Sequence, residues 1–210
     1  MYKETLNQLI ARYPAFKVCE NDIVNAFQTI KTAFEQGNKL LLAGNGGSAA
    51  DCEHIAGELL KSFTKKRPIN TETCNNLKSL YGPKGEALSN ILEGALPAIS
   101  LPSLISIGTA FSNDKDPTAV FAQLTYGLGA KGDVLLGIST SGNAENIISA
   151  FMVAHAKGVK TIGLTGNSCG KMIKYCDIAI CAPSDETHVI QEFHLPIYHA
   201  LCAMLEAELF

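Results

Sequence analysis

The feature that most constrains this chain is a set of short apolar runs, most of which end in glycine or a hydroxyl residue and then open a helix. Lys39–Ala43 is followed by Gly44, and Asp133-Val-Leu-Leu-Gly-Ile-Ser139 runs into Gly142-Asn143. Val159–Leu164 is followed by Thr165-Gly166. Ala98–Leu101 and Ile178–Ala182 are similar short runs. The runs are apolar throughout rather than alternating, which is the pattern of strands buried on both faces. Helix-period segments separate them: about Ser48–Thr64, about Leu101–Ser112, about Thr118–Leu128, Ala144–Lys157 and His188–Leu209. Strands alternating with helices predict βαβ units. The expected fold class is therefore α/β, a three-layer αβα sandwich with a mostly parallel sheet of flavodoxin-like or Rossmann-like type. Two further helical patterns, 3–13 and 19–36, precede the first strand and form an N-terminal helical extension over 1–37. Residues 66–97 differ: Pro68, Asn75, Asn76, Gly82, Pro83, Gly85 and Pro97 predict a surface excursion with one short helix at about Gly85–Leu92.

The 210 residues suit one domain spanning 1–210. A net charge of −3 and only two arginines, Arg12 and Arg67, exclude a dense cationic face, so no nucleic-acid partner is expected. Lys65-Lys66-Arg67 reads as solvated charge at a helix end. No window approaches the roughly 18 uninterrupted apolar residues of a membrane span, and Met1–Thr5 carries no apolar leader pattern. No membrane partner is expected. The seven cysteines are scattered without CxxC spacing and read as reduced thiols of a cytoplasmic protein.

Two loops share one design. Gly44-Asn45-Gly46-Gly47-Ser48 and Ser139-Thr140-Ser141-Gly142-Asn143 each follow a strand and open a helix. Glycine allows close backbone approach, helix N-terminal amides are free donors with partial positive charge, and hydroxyls add donors. Together they suit a phosphate dianion. No Gly-Lys-Ser/Thr follows, so neither is a P-loop, and neither is GxGxxG. Thr165-Gly166-Asn167-Ser168 reads only as a turn.

His54 and Glu58 are four apart and share a helix face, a spacing that serves a divalent metal, an acid–base pair or a plain surface pair. The last helix carries Gln191, Glu192, His194 and His199 in an otherwise apolar stretch, where polar groups need partners.

With these pieces assembled, the chain resembles the phosphoheptose isomerases of the sugar-isomerase (SIS) superfamily over nearly its whole length. The resemblance rests on Gly44–Ser48, His54-x-x-x-Glu58-Leu, Ser112-Asn113-Asp114, Gly132–Asn143, Leu164-Thr-Gly166 and Ile190-Gln-Glu192 with His199. It implies interconversion of sedoheptulose 7-phosphate and an aldose 7-phosphate. Asn45, Gly46, Gly47, Ser48, Ser139, Thr140 and Ser141 would hold the phosphorylated sugar, the hydroxyls chiefly at its phosphate. Asn113 and Asp114 would contact the sugar, as would Glu58 and Gln191. His54, Glu58, Gln191 and His199 would ligate one zinc ion per subunit, with Glu58 and His199 also the acid–base pair. Gln191 and His199 lie roughly 12 Å apart along an ideal helix, and Glu192 is nearer the face of His199. A homotetramer with sites near subunit interfaces is implied as well. Against the family pattern, Ala144 replaces a serine, His188 replaces an aspartate, and about 69–96 is an insertion. The resemblance also admits a non-catalytic phosphosugar-binding protein, since one close relative of the isomerases associates with a replication initiator. Glu58 and His199 together favour the enzyme.

Overall fold

The computed structural model describes residues 2–210. In chain order the elements are α1 (Tyr2–Arg12), α2 (Glu20–Glu35), β1 (Leu40–Gly44), α3 (Gly47–Leu60), α4 (Thr71–Tyr81), α5 (Pro83–Ser89), β2 (Ala98–Ser100), α6 (Ile105–Asp114), α7 (Val120–Leu128), β3 (Val134–Ser139), α8 (Glu145–Ala156), β4 (Lys160–Thr165), β5 (Ile178–Cys181) and α9 (Thr187–Leu209). Among the described residues the strands form one sheet in the order β2-β1-β3-β4-β5, and every neighbouring pair is parallel.

Each strand face has its own core. Leu40 and Leu42 of β1 and Leu136 and Ile138 of β3 pack with α1, α2, α3 and α9 on one side. Leu41, Ala43 and Leu135 point the other way, into α7 and α8. Both faces are covered, so both sets of side chains must be apolar, and β1 and β3 are buried at every position. Full burial of one Leu, Ile or Phe side chain is worth roughly 1.5–3 kcal/mol. At Gly137 α8 packs close against the sheet: a Cβ there would stand 2.6 Å from both Ile147 and Phe151.

α1 and α2 are part of the first helical layer, with Leu6, Leu9, Ile23, Phe27 and Ile30 in its core. Residues 66–97 hold two helices where the sequence predicted one. α4 starts at Asn70, whose side chain accepts from the Thr73 amide, and Gly82 at φ 55° turns the chain into α5. No α4 side chain is fully buried, so it carries no core-facing stripe for a sequence reading to find.

The strand order places function. From β1 the chain steps outward to β2, then returns past β1 to β3. This reversal leaves the carboxyl ends of β1 and β3 flanking an open crevice, where such sheets bind ligands. The loops at 44–48 and 139–143 stand there.

Candidate active site

The two loops are joined side chain to side chain. Asn45 and Asn146 exchange amide hydrogen bonds, Asn45 Nδ2 to Asn146 Oδ1 and Asn146 Nδ2 to Asn45 Oδ1, each 2.9 Å. Asn146 lies in the first turn of α8 and did not stand out in the sequence, because an asparagine there reads as a surface residue. On one side of this bridge a cavity of about 610 Å³ is lined by Gly44, Asn45, Gly46, Asn113 and apolar residues of α6 and α7. Asn113 donates to Asp114 Oδ1 at 3.0 Å. A separate polar cleft of about 200 Å³ is lined by Thr140, Ser141 and Asn143 together with Gly166, Asn167 and Ser168. The segment read as only a turn is therefore one wall of that cleft. Ser48 and Ser139 are buried, whereas Ser141 and the amides of Gly46 and Gly47 lie in exposed residues.

The hydroxyl loop is shaped from behind. Gly142 has φ 62°, and a Cβ there would stand 2.1 Å from the Cys169 carbonyl oxygen. Lys171 N donates to Asn143 Oδ1 at 3.0 Å and Met172 N to the Gly142 carbonyl at 2.9 Å. This bracing segment carries a disulfide from Cys169 to Cys181 at the end of β5. The expectation that every cysteine is reduced is thereby corrected. The pair lies 12 residues apart in sequence, and the fold of β4 and β5 brings it together. Cys19, Cys52, Cys74, Cys176 and Cys202 are free, and Cys52 is fully buried, away from any cleft surface.

α3 and α9 run side by side in the same direction. At the top, a Cβ on Gly47 would stand 2.7 Å from Gln191 Nε2, so Gln191 lies against the glycine loop. Lower down, His54, Glu58 and His199 converge, with one ligand atom from each within 4.8 Å of the others. His54 Nε2 is 3.2 Å from Glu58 Oε1 and 3.3 Å from His199 Nε2. Glu58 supplies the carboxylate of this group, and the exposed Glu192 is not part of it. His194 is a structural residue: it is fully buried, its Nε2 lies 3.3 Å from the Thr165 carbonyl, and burial lowers its pKa to about 4. His188 is exposed beside Glu186.

The sequence reading missed two side chains behind the cluster. His54 Nδ1 lies 3.0 Å from the Tyr198 hydroxyl, which donates to Asp51 Oδ1 at 3.1 Å. Asp51 is one helical turn before His54, so its position on that face was available from spacing; Tyr198 looked like one more apolar position of α9. Burial pushes the Asp51 pKa up, while the bond from Tyr198 and the nearby His54 pull it down. Burial and His54 lower the His199 pKa, against the opposing effect of Glu58.

Farther along, Arg67 and Glu206 lock the same two helices. Arg67 donates from Nη2 to the Glu58 carbonyl and from Nη1 to the Leu59 carbonyl, both 2.8 Å, and from Nε to Glu206 at 2.6 Å. Both side chains are fully buried, which corrects the reading of Arg67 as solvated charge at a helix end.

The donor set fits a divalent cation. Glu58 Oε2 is buried and without a hydrogen-bond partner, with Lys61 Nζ standing 3.9 Å from it, and a buried carboxylate oxygen is costly unless donors or positive charge meet it closely. Two imidazoles and a carboxylate are also what zinc takes.

Residues 87–166 match the SIS domain family. A phosphoheptose isomerase of Pelobacter propionicus is 37% identical over 214 aligned residues, covering all of both chains. The chain belongs to the phosphoheptose isomerase family. A second phosphoheptose isomerase of Maridesulfovibrio salexigens is 39% identical over 90% of this chain and 79% of its own. Among solved structures, a phosphoheptose isomerase from Neisseria gonorrhoeae superposes with a TM-score of 0.75 at 31% identity, covering 98% of this chain and 95% of that one. No helix among the described residues is long and apolar enough to cross a membrane.

Proposed function

We propose that this phosphoheptose isomerase family member converts sedoheptulose 7-phosphate into D-glycero-D-manno-heptose 7-phosphate, and that it is zinc-dependent. The observation that carries the reading is the convergence of His54, Glu58 and His199 between α3, the helix that the glycine loop opens, and α9.

The phosphate is assigned to the polar cleft. Thr140 and Ser141 offer hydroxyls there, in the loop that leads into the N-terminus of α8, the end that carries partial positive charge. The sugar chain then runs from Ser141 across the Asn45–Asn146 bridge, with Asn45, Gly46, Gly47, Asn113, Asp114 and Gln191 as its contacts and the buried Ser48 and Ser139 shaping the loops. Glu58 and His199 are assigned to C1 and C2.

Isomerisation moves one proton from C1 to C2 and relocates one between the two oxygens. Glu58 takes the C1 proton and returns it at C2 of the enediol. No hydrogen bond engages its Oε2, although Lys61 Nζ lies 3.9 Å away. His199 carries the proton between O1 and O2, and the lowering of its pKa by burial favours the neutral form that can accept one. His54, Glu58 and His199 would hold the zinc ion, with Gln191 completing the set from the start of α9. When bound, zinc would polarise the C2 carbonyl and stabilise the developing oxyanion. Glu58 thus needs one oxygen for the metal and one for the proton, and the Oε1 and Oε2 environments differ in that sense.

The whole chain, 1–210, is proposed as one functional unit in which 69–96 is an insertion forming α4 and α5. A homotetramer is supported by exposed Leu80, Tyr81, Ile91 and Ile105; a cytoplasmic location is part of the proposal, and the Cys169–Cys181 bridge is the feature that speaks against it. The test of function is turnover of sedoheptulose 7-phosphate with and without zinc, following the aldose phosphate. Zinc-stimulated turnover is the expected result; a folded, zinc-loaded protein that leaves this ketose unchanged overturns the substrate assignment.

A further inference from the structure

Behind the candidate metal group lies a hydrogen-bonded chain that the reaction itself does not use: Asp51, the Tyr198 hydroxyl and His54 Nδ1. We propose that Asp51 and Tyr198 are positioning residues that fix His54 as the Nδ1-protonated tautomer, leaving Nε2 bare toward Glu58 and His199.

The direction of the chain follows from counting protons. A tyrosine hydroxyl has one proton to give and lone pairs to receive with. It lies 3.1 Å from Asp51 Oδ1 and 3.0 Å from His54 Nδ1. A carboxylate is acceptor only, and a charged acceptor makes the stronger bond, so the hydroxyl proton goes to Asp51. The oxygen of Tyr198 is then an acceptor, and the imidazole nitrogen facing it must carry the hydrogen. A neutral imidazole holds one N–H, so Nε2 is left with a lone pair. His199 Nε2 lies 3.3 Å from that lone pair and can donate to it, while Glu58 Oε1 at 3.2 Å is a second acceptor, an acceptor–acceptor contact that a cation between the two relieves.

The surroundings hold this arrangement in place. Tyr198 is 1% exposed and its ring meets that of His54 edge-on with centroids 5.5 Å apart. Asp51 and His54 are a turn apart on α3, and Tyr198 adjoins His199 on α9. The relay therefore ties the tautomer of one candidate ligand to the packing of the helix that supplies another. Removing a partner of this kind from behind a metal-bound histidine typically lowers metal affinity 10–100-fold.

The inference rests on the metal reading above, and its test separates the two. In the metal-free full-length protein labelled with ¹⁵N-histidine, at about pH 8 where an ordinary histidine is neutral, His54 is expected to show a protonated Nδ1 and a bare Nε2. Tyr198→Phe is expected to lose that preference and to bind zinc about 10–100-fold more weakly in competition with a chromophoric chelator. Asp51→Asn, which keeps the shape and removes the charge that sets the direction, is expected to shift both readouts the same way by a smaller amount. A wild-type His54 protonated on Nε2 overturns the proposal. So do Tyr198→Phe and Asp51→Asn proteins that keep both the wild-type tautomer and wild-type zinc affinity. A wild-type protein that binds no zinc overturns the metal reading, while the tautomer spectrum still decides the relay.

Discussion

Glu206→Gln is expected to destabilise the protein far more than a surface charge change would, and the structure sets the size. Five donors meet this one carboxylate: the amides of Phe63, Thr64 and Lys65, the Thr64 hydroxyl, and Arg67 Nε at 2.6 Å. Burial alone would raise its pKa, but the hydrogen bonds from Thr64, Phe63 and Arg67 outweigh it and bring the pKa from 4.5 to about 2. At ~1.4 kcal/mol per tenfold change in proton affinity, that depression amounts to about 3 kcal/mol of stability. The folded-state value lies below the unfolded one, so this stability is fully present above about pH 4.5 and is lost as the pH falls from there through about 2. Glutamine would leave the Arg67 guanidinium buried beside a neutral amide. Breaking one side of a buried pair costs about 3–5 kcal/mol, and the two estimates agree in scale. Urea unfolding followed by circular dichroism is the assay, at neutral pH and at a series of acid values. The variant should be about 3–5 kcal/mol less stable near pH 7, and the gap should narrow between about pH 4.5 and 2. A loss below about 1 kcal/mol, or a gap that does not change with acid, would refute the reasoning.

Three other outcomes follow from the same geometry. Thiol titration of the unfolded, unreduced protein should count five of the seven cysteines, and all seven after reduction; seven before reduction would contradict the Cys169–Cys181 bridge. Gly142→Ala should cost at least about 1–2 kcal/mol from its positive φ, and it should raise KM for the sugar phosphate because the new Cβ displaces the segment bracing Ser141; an unchanged KM would count against the phosphate assignment. Lowering the pH from about 6.5 toward 4 should weaken the fold as buried His194, neutral when folded, takes up a proton more readily once unfolded. His194→Gln should flatten that part of the stability profile, and an unaltered profile would assign the effect elsewhere.

The strands were legible because both faces of β1, β3 and β4 are covered, which forces unbroken apolar runs into the sequence. The two loops were legible for a related reason: glycines and hydroxyls in series have few uses at the end of a buried strand. α4 was not, since a helix with no buried side chain has no stripe to show. Asp51 shares a face with His54 and Glu58, but the importance of that face depends on Tyr198 and His199 arriving from 144 to 147 residues away, and no local spacing records that. The parallel run of α3 against α9 is what turns an ordinary His54/Glu58 pair into a three-residue cluster. The disulfide was hidden for the same reason, because the contact between the loop after β4 and the end of β5 is a property of the sheet.

The most direct test of the account is the turnover of sedoheptulose 7-phosphate by Glu58→Gln beside the wild-type protein, both zinc-supplemented and both shown to be folded. Glu58 is assigned the carbon-bound proton, so kcat should fall by about 10²–10⁴. A variant that keeps its turnover within a few-fold of wild type would contradict the assignment of Glu58 and with it the proposed route of the proton.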